Sequence, residues 1–160
     1  VIAKLYEASA NGVKIDLIVR GICTLRPGIV GVSDHITVRS IVGRFLEHHR
    51  LFYFRNGGNE KLFLSSADWM PRNLNERVEL MIPIEDKRHK ARIKGILDLY
   101  LVDTLKAHIM RADGSYYKAS NVEGPLSAQE ELMEAANTQD NKEQMTVVER
   151  FKPMFKMKEW

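Results

Sequence analysis

Glu47-His48-His49-Arg50 sets an imidazole two positions from a guanidinium, and Ser65-Ser66-Ala67-Asp68, then Arg72-Asn73, follow a short way along the chain. A strand entered at His48 sends His48 and Arg50 to the same face, because side chains alternate along a strand. That pairing suits phosphate. Arg50 offers a planar fork to negative oxygens, and His48 transfers a proton near neutral pH. Ser65 and Ser66 close the next strand and offer hydroxyl or backbone donors, and Asn73 stands where it can orient an imidazole. The plain structural alternatives are a histidine capping a strand and an Arg50 that pairs with Glu47 or Asp68.

The surrounding charge points the same way. From Arg20 to Arg55 the basic residues are Arg20, Arg26, Arg39, Arg44, Arg50 and Arg55, with no lysine, although the chain has twelve of each type. Asp34 and Glu47 alone oppose them, so this stretch carries +4 in a chain of net charge +3. Exclusive use of the bidentate donor favours an oxyanion site over a merely solvated face. A total of +3 is too small to argue for nucleic acid. His35, His89 and His108 are isolated and show no metal-ligand spacing, and Cys23 reads as a small core residue.

Several elements must position these groups. Residues 1–10 read as a helix with Ile2, Leu5, Tyr6 and Ser9 on one face, stopped by Asn11-Gly12. The pattern opens without Met or a capping residue, which suggests a piece of a longer protein. Val13 to Val19 is a β-branched strand, so Arg20 falls at a strand's carboxyl end, where ligands gather in open α/β sheets. A long loop follows, and Ile36 to Val42 reads as part strand, part helix entry. Leu51–Phe54 and Lys61–Leu64 form a hairpin around Asn56-Gly57. A strand is expected over 77–84, a helix from about Asp86 to Thr104, and a weak hairpin from Lys106 to Ala119. Ser127 opens a capping box and a short helix to about Asn137. The stretch TQDNKEQ reads as a linker, and the tail to Trp160 as a docking segment. The plan is α/β with a mixed sheet flanked by helices.

The half-motif resembles that of the phospholipase D superfamily, His-x-Lys followed by Gly-Ser-x-Asn. Here Arg50 replaces the Lys, and Ser65-Ser66 stands where Gly-Ser is usual. Three longer blocks sharpen the likeness: VRGICTLRPG (Val19 to Gly28), SDHITVRSIVGRFLEHHRLFYFRNGG (Ser33 to Gly58) and LSSADWMPRN (Leu64 to Asn73). Together they resemble the second, C-terminal catalytic domain of the polyphosphate kinases. The resemblance covers roughly residues 1–105 and implies a phospholipase D-like domain over 1–120, with 121–160 as its C-terminal helix and tail. It implies reversible transfer of the terminal phosphate of ATP to polyphosphate through a phosphohistidine in another domain. Carried over, Arg20 contacts nucleotide phosphates and His48 is the second catalytic histidine, with Arg50 on phosphate and Ser66 and Asn73 in support. His49 falls at a variable position. Magnesium is expected with ATP, its ligands lying outside this chain. ATP or ADP, polyphosphate and the remaining domains are the expected partners, with a homo-oligomer left open and nucleic acid not expected. The isolated piece is expected to be inactive.

Composition agrees with a soluble enzyme part. At 160 residues, 44% hydrophobic and 28% charged, the chain is long enough for one packed domain and is set apart from disordered, collagen-like and membrane classes. No apolar run approaches the ~18 residues that span a bilayer, and no signal peptide opens the chain. A single cysteine permits a reducing compartment. The expected location is cytoplasmic, with peripheral membrane association left open. Two rival functions stay open: a phospholipase D-type phosphodiesterase half-domain active as a dimer, and a non-catalytic polyanion-binding module.

Overall fold

The computed structural model describes residues 1–120 and 124–143. The chain divides into two units, Val1–Ala128 and Gln129–Trp160. In the first, helix α1 (Ile2–Ala10) and strands β1 (Ile15–Ile18) and β2 (Ile36–Ile41) are followed by the hairpin β3 (Arg50–Phe54) and β4 (Lys61–Ser65). Helix α2 (Pro71–Asn75), strand β5 (Met81–Pro83), helix α3 (Lys87–Val102) and strands β6 (Ala107–Met110) and β7 (Tyr116–Lys118) complete it. Helix α4 (Ala128–Glu143) falls almost wholly in the second unit.

The α/β class is as expected, but the strands divide into two sheets. One is mixed, in the order β1-β2-β6-β7, with β1 and β2 parallel and the other pairs antiparallel. The other is antiparallel, in the order β3-β4-β5. The stretch 36–42 forms no helix. Ile36, Val38 and Ile41 are buried because β2 is central and has a partner on each side. Leu25, Ile36, Val38 and Met110 form the core of this sheet, and Leu5 and Tyr6 of α1 pack against it.

The long loop after β1 is ordered by one buried hydroxyl. Ser33 Oγ donates to the Arg26 carbonyl at 2.6 Å and accepts from Ile29 N at 3.0 Å. Leu25 within this loop is 2% exposed, so the loop is part of the core. Arg39, one of the early arginine cluster, is spent on structure. Its Nη1 donates to the carbonyls of Tyr100 (3.2 Å) and Asp103 (3.3 Å) at the end of α3. Burial lowers its pKa from the usual arginine range.

α3 begins where Asp86 accepts from the amides of Arg88 (2.8 Å) and His89 (3.1 Å), an N-cap that satisfies two otherwise free donors. It is tied to the hairpin by Lys90, whose Nζ donates to the Glu60 carbonyl at 3.0 Å. Asp103, just past its end, is 1% exposed. Its carboxylate accepts from the amides of Lys106 (2.8 Å), Ala107 (3.0 Å) and Ala128 (2.8 Å). Of the expected strand 77–84, only Met81–Pro83 pairs with β4. The TQDNKEQ stretch is no linker as far as Glu143. α4 continues to that residue, and 127–143 contain no glycine or proline to stop it. The expected docking tail, from 144 onward, lies outside the described residues.

Candidate functional site

β2 leaves the first sheet at Ile41, and the chain crosses to the second through residues 42–49. Three contacts hold this crossing. Arg20 Nη1 donates to the Glu47 carbonyl. The Tyr100 hydroxyl hydrogen-bonds Glu47, and burial, reinforced by that bond, raises the Tyr100 pKa well above the usual tyrosine range. His49 Nδ1 lies 3.3 Å from Glu47 Oε2, with its ring 5.8 Å from that of Tyr100. His49, expected to have no role, therefore helps to seat the residue beside His48.

β3 starts at Arg50, which pairs across the hairpin with Ser65, the last residue of β4. Phe52 stacks on Trp69 with centroids 5.1 Å apart, and Leu62 is 1% exposed beneath the hairpin. Arg50 sends Nε and Nη2 to Asp68 Oδ1, at 3.0 and 2.9 Å. Its Nη1 lies 2.9 Å from His48 Nδ1 and donates to the His48 carbonyl at 2.7 Å. A guanidinium has no lone pair to offer, so Nδ1 is the acceptor and the proton of a neutral imidazole sits on Nε2. Arg50 thus holds His48 in one orientation and one tautomer, and the pairing with Asp68 holds Arg50.

β4 runs into a turn and then α2, which Pro71 opens at its first turn. The chain returns through Glu79 and Leu80 to β5. Ser66 Oγ donates to Glu79 Oε2 and accepts from Leu80 N at 3.0 Å. Asn73 Nδ2 donates to Glu79 Oε1 at 2.8 Å. These bonds, that from Ser66 first, lower the Glu79 pKa below the usual glutamate value. Asn73 is 4% exposed, and its Oδ1 is buried with no hydrogen-bond partner among the described residues. Glu79 was not singled out from the sequence. Its role depends on contacts made across thirteen and six residues, which no local motif announces.

A cavity of about 630 Å³ opens at this junction. His48, Arg50, Ser66 and Asn73 line it together, as the sequence suggested, and Asp68 and Glu79 join them. Leu64, Leu80 and Ile82 give it an apolar wall. Arg20 does not line it, and reaches only the Glu47 carbonyl next to His48. Two other arginines of the early cluster point elsewhere. Arg44 lies over the Phe45 ring, 5.5 Å from its centroid, and the Arg26 guanidinium covers Gly114.

The molecule is thus an α/β domain with a histidine–arginine pair in a cavity at the ends of strands. Comparison with known proteins gives its family. A model described as polyphosphate kinase C-terminal domain 2 matches residues 1–129. The polyphosphate kinase of Pseudomonas aeruginosa is 56% identical over 136 residues, covering 84% of this chain and 20% of that protein. That of Bacillus anthracis is 57% identical over 120 residues, covering 75% and 17%. The crystal structure of polyphosphate kinase from Porphyromonas gingivalis superposes with a TM-score of 0.82 at 39% identity, covering 88% of this chain and 22% of that one. The chain belongs to the polyphosphate kinase C-terminal domain family, as its three motif blocks suggested. It spans about a fifth of the length of the curated relatives it matches.

Proposed function

We propose that this chain is part of an enzyme that reversibly transfers the terminal phosphate of ATP to inorganic polyphosphate, and that His48 is its second catalytic histidine. The observation that carries this reading is the contact of Arg50 Nη1 with His48 Nδ1 at 2.9 Å inside the cavity. Nε2 of His48 faces the phosphates, and His48 acts as an acid in its imidazolium form. It gives a proton to the oxygen released as the phosphoryl group departs, leaving neutral imidazole, and takes one back in the reverse direction. The nucleophile that carries the phosphoryl group is a histidine elsewhere in the longer protein, so this chain alone does not turn over.

In phosphoryl transfer the protein mostly positions groups and stabilises charge. Arg20, held at the Glu47 carbonyl, meets nucleotide phosphates at the approach to His48. Arg50 shares its donors between His48, Asp68 and an incoming phosphate oxygen. Ser66 and Asn73 support the cavity wall through Glu79. Among the described residues no group of three or more His, Cys, Asp or Glu side chains is placed to hold a metal ion. Magnesium enters with ATP, bound to the nucleotide's phosphates. No helix of the described residues is long and apolar enough to cross a membrane. A cytoplasmic location is part of the proposal.

The test is calorimetric titration of this chain with polyphosphate and with magnesium-ATP, comparing wild type with Arg20→Ala and His48→Ala. Weaker binding in both variants places the two residues in one phosphate site. Binding that ignores both leaves a non-catalytic polyanion surface and removes the reading.

A further inference from the structure

The two peptide carbonyls that flank His48 are each held by an arginine. Arg20, past the end of β1, takes the carbonyl of Glu47, and Arg50, at the start of β3, takes that of His48 at 2.7 Å. His48 therefore hangs between the two sheets, on a crossing that belongs to neither and has no strand ladder of its own. A third support comes from the Glu47 side chain, and α3 supplies it.

Tyr100 lies near the end of α3 and is 3% exposed. A buried phenol needs a partner for its hydroxyl, and Tyr100 donates its own to the Glu47 carboxylate. Bonds from a donor to an ionised acceptor are stronger than those between neutral groups. His49 backs the same carboxylate, with Nδ1 3.3 Å from Oε2 and its ring against that of Tyr100. The backbone carbonyl of Tyr100 meanwhile accepts from Arg39 Nη1, in β2, at 3.2 Å. One residue thus fastens the first sheet with its main chain and the crossing to the second with its side chain. Neither Tyr100 nor Glu47 lines the cavity. Any effect they have on chemistry there must pass through the backbone of His48.

We infer that Tyr100 is a positioning residue for the phosphoryl transfer proposed above: by holding the Glu47 carboxylate, its hydroxyl sets where the His48 ring stands in the cavity. The inference rests on that reading and deepens it. The contact of Arg50 Nη1 with His48 Nδ1 at 2.9 Å forms only if the backbone presents the ring at the right place. Released from Tyr100, Glu47 lets the crossing shift and the ring leave that contact. A misplacement of about 1 Å can lower a rate by ~10².

The test compares polyphosphate synthesis from ATP by the longer enzyme as wild type, Tyr100→Phe, His48→Ala and the double variant. Tyr100→Phe deletes only the hydroxyl, and circular dichroism verifies folding. It is expected to lower kcat about tenfold or more and to leave KM for magnesium-ATP unchanged. Added to His48→Ala, it should lower turnover no further, because its effect passes through His48. Nitrogen NMR of this chain labelled on histidine gives a second readout. Tyr100→Phe should turn the single neutral tautomer of His48 into a mixture, which a loss of stability alone does not do. Wild-type kcat and an unchanged His48 spectrum in Tyr100→Phe overturn the inference while leaving the proposed function standing. A further fall in the double variant, or a raised KM at constant kcat, also overturns it, because Tyr100 then acts on the fold or on nucleotide binding. Full synthesis by His48→Ala overturns both.

Discussion

The Nη1 of Arg50 stands 2.9 Å from Nδ1 of His48 and donates to the same residue's carbonyl at 2.7 Å. One guanidinium nitrogen thereby fixes a ring and its backbone together, while the rest of the fork is anchored on Asp68. The contact decides which ring nitrogen faces the chemistry. Nitrogen NMR of the labelled domain should show neutral His48 as the Nε2–H tautomer. Arg50→Gln should give a mixture of both. In the longer enzyme Arg50→Lys should lower turnover about a hundredfold, since an ammonium cannot hold His48 and Asp68 at once. A wild-type Nδ1–H tautomer, or a variant spectrum identical to wild type, would count against this positioning role.

Glu79 makes the site sensitive to acid. Ser66 and Asn73 bind the ionised carboxylate and lower its pKa in the folded protein. The stabilisation is therefore complete above the ordinary glutamate pKa of about 4.3 and is lost as pH falls through the lower folded-state value. Urea unfolding from neutral pH downward should show stability declining in that acid window. Glu79→Gln, which has one acceptor oxygen where the carboxylate has two, should remove part of the decline. An unchanged pH dependence in the variant would show that the carboxylate is not held as described.

Asp103 serves structure alone. It is 1% exposed and accepts three backbone amides. Asp103→Asn presents an amide donor where an acceptor is needed and leaves a buried N–H unsatisfied. The variant should lose about 1–3 kcal/mol of unfolding free energy with an unchanged denaturant slope. A loss below a few tenths of that range would mean that the loop relaxes to satisfy the amides by other means.

Much of this was legible in the chain. The hairpin announced itself through Asn56-Gly57 between two aromatic-rich runs, and α3 through its helical pattern from about Asp86 to Thr104. His48 and Arg50, two apart, do meet, but not by strand alternation as expected, because β3 starts only at Arg50 and the guanidinium reaches back to His48. Other features were hidden, for physical reasons. Ile36–Ile41 looked ambiguous because its alternation, clean from Ile36 to Arg39, breaks at Ser40-Ile41. Residues 77–80 carry a strand's apolar pattern, but only Leu80 bonds back, to Ser65 and Ser66 at the end of β4, so the strand shortens to Met81–Pro83. The early arginines looked like one cluster in sequence, yet β2 takes Arg39 to the end of α3, and Arg26 turns onto Gly114. The cavity draws its unpaired arginines, Arg72 and Arg77, from outside that cluster. Their place there follows from the fold's return through α2, which spacing alone does not disclose.

The central claim is that His48 acts as the acid in phosphoryl transfer, and the most direct measurement is polyphosphate synthesis from ATP by the longer enzyme carrying His48→Ala. The rate is followed across pH, and polyphosphate binding is measured in parallel. Turnover should fall by about 10²–10³, together with loss of the alkaline limb of the pH profile. Full synthesis with an unchanged profile would contradict it and return His48 to the status of a strand-end histidine.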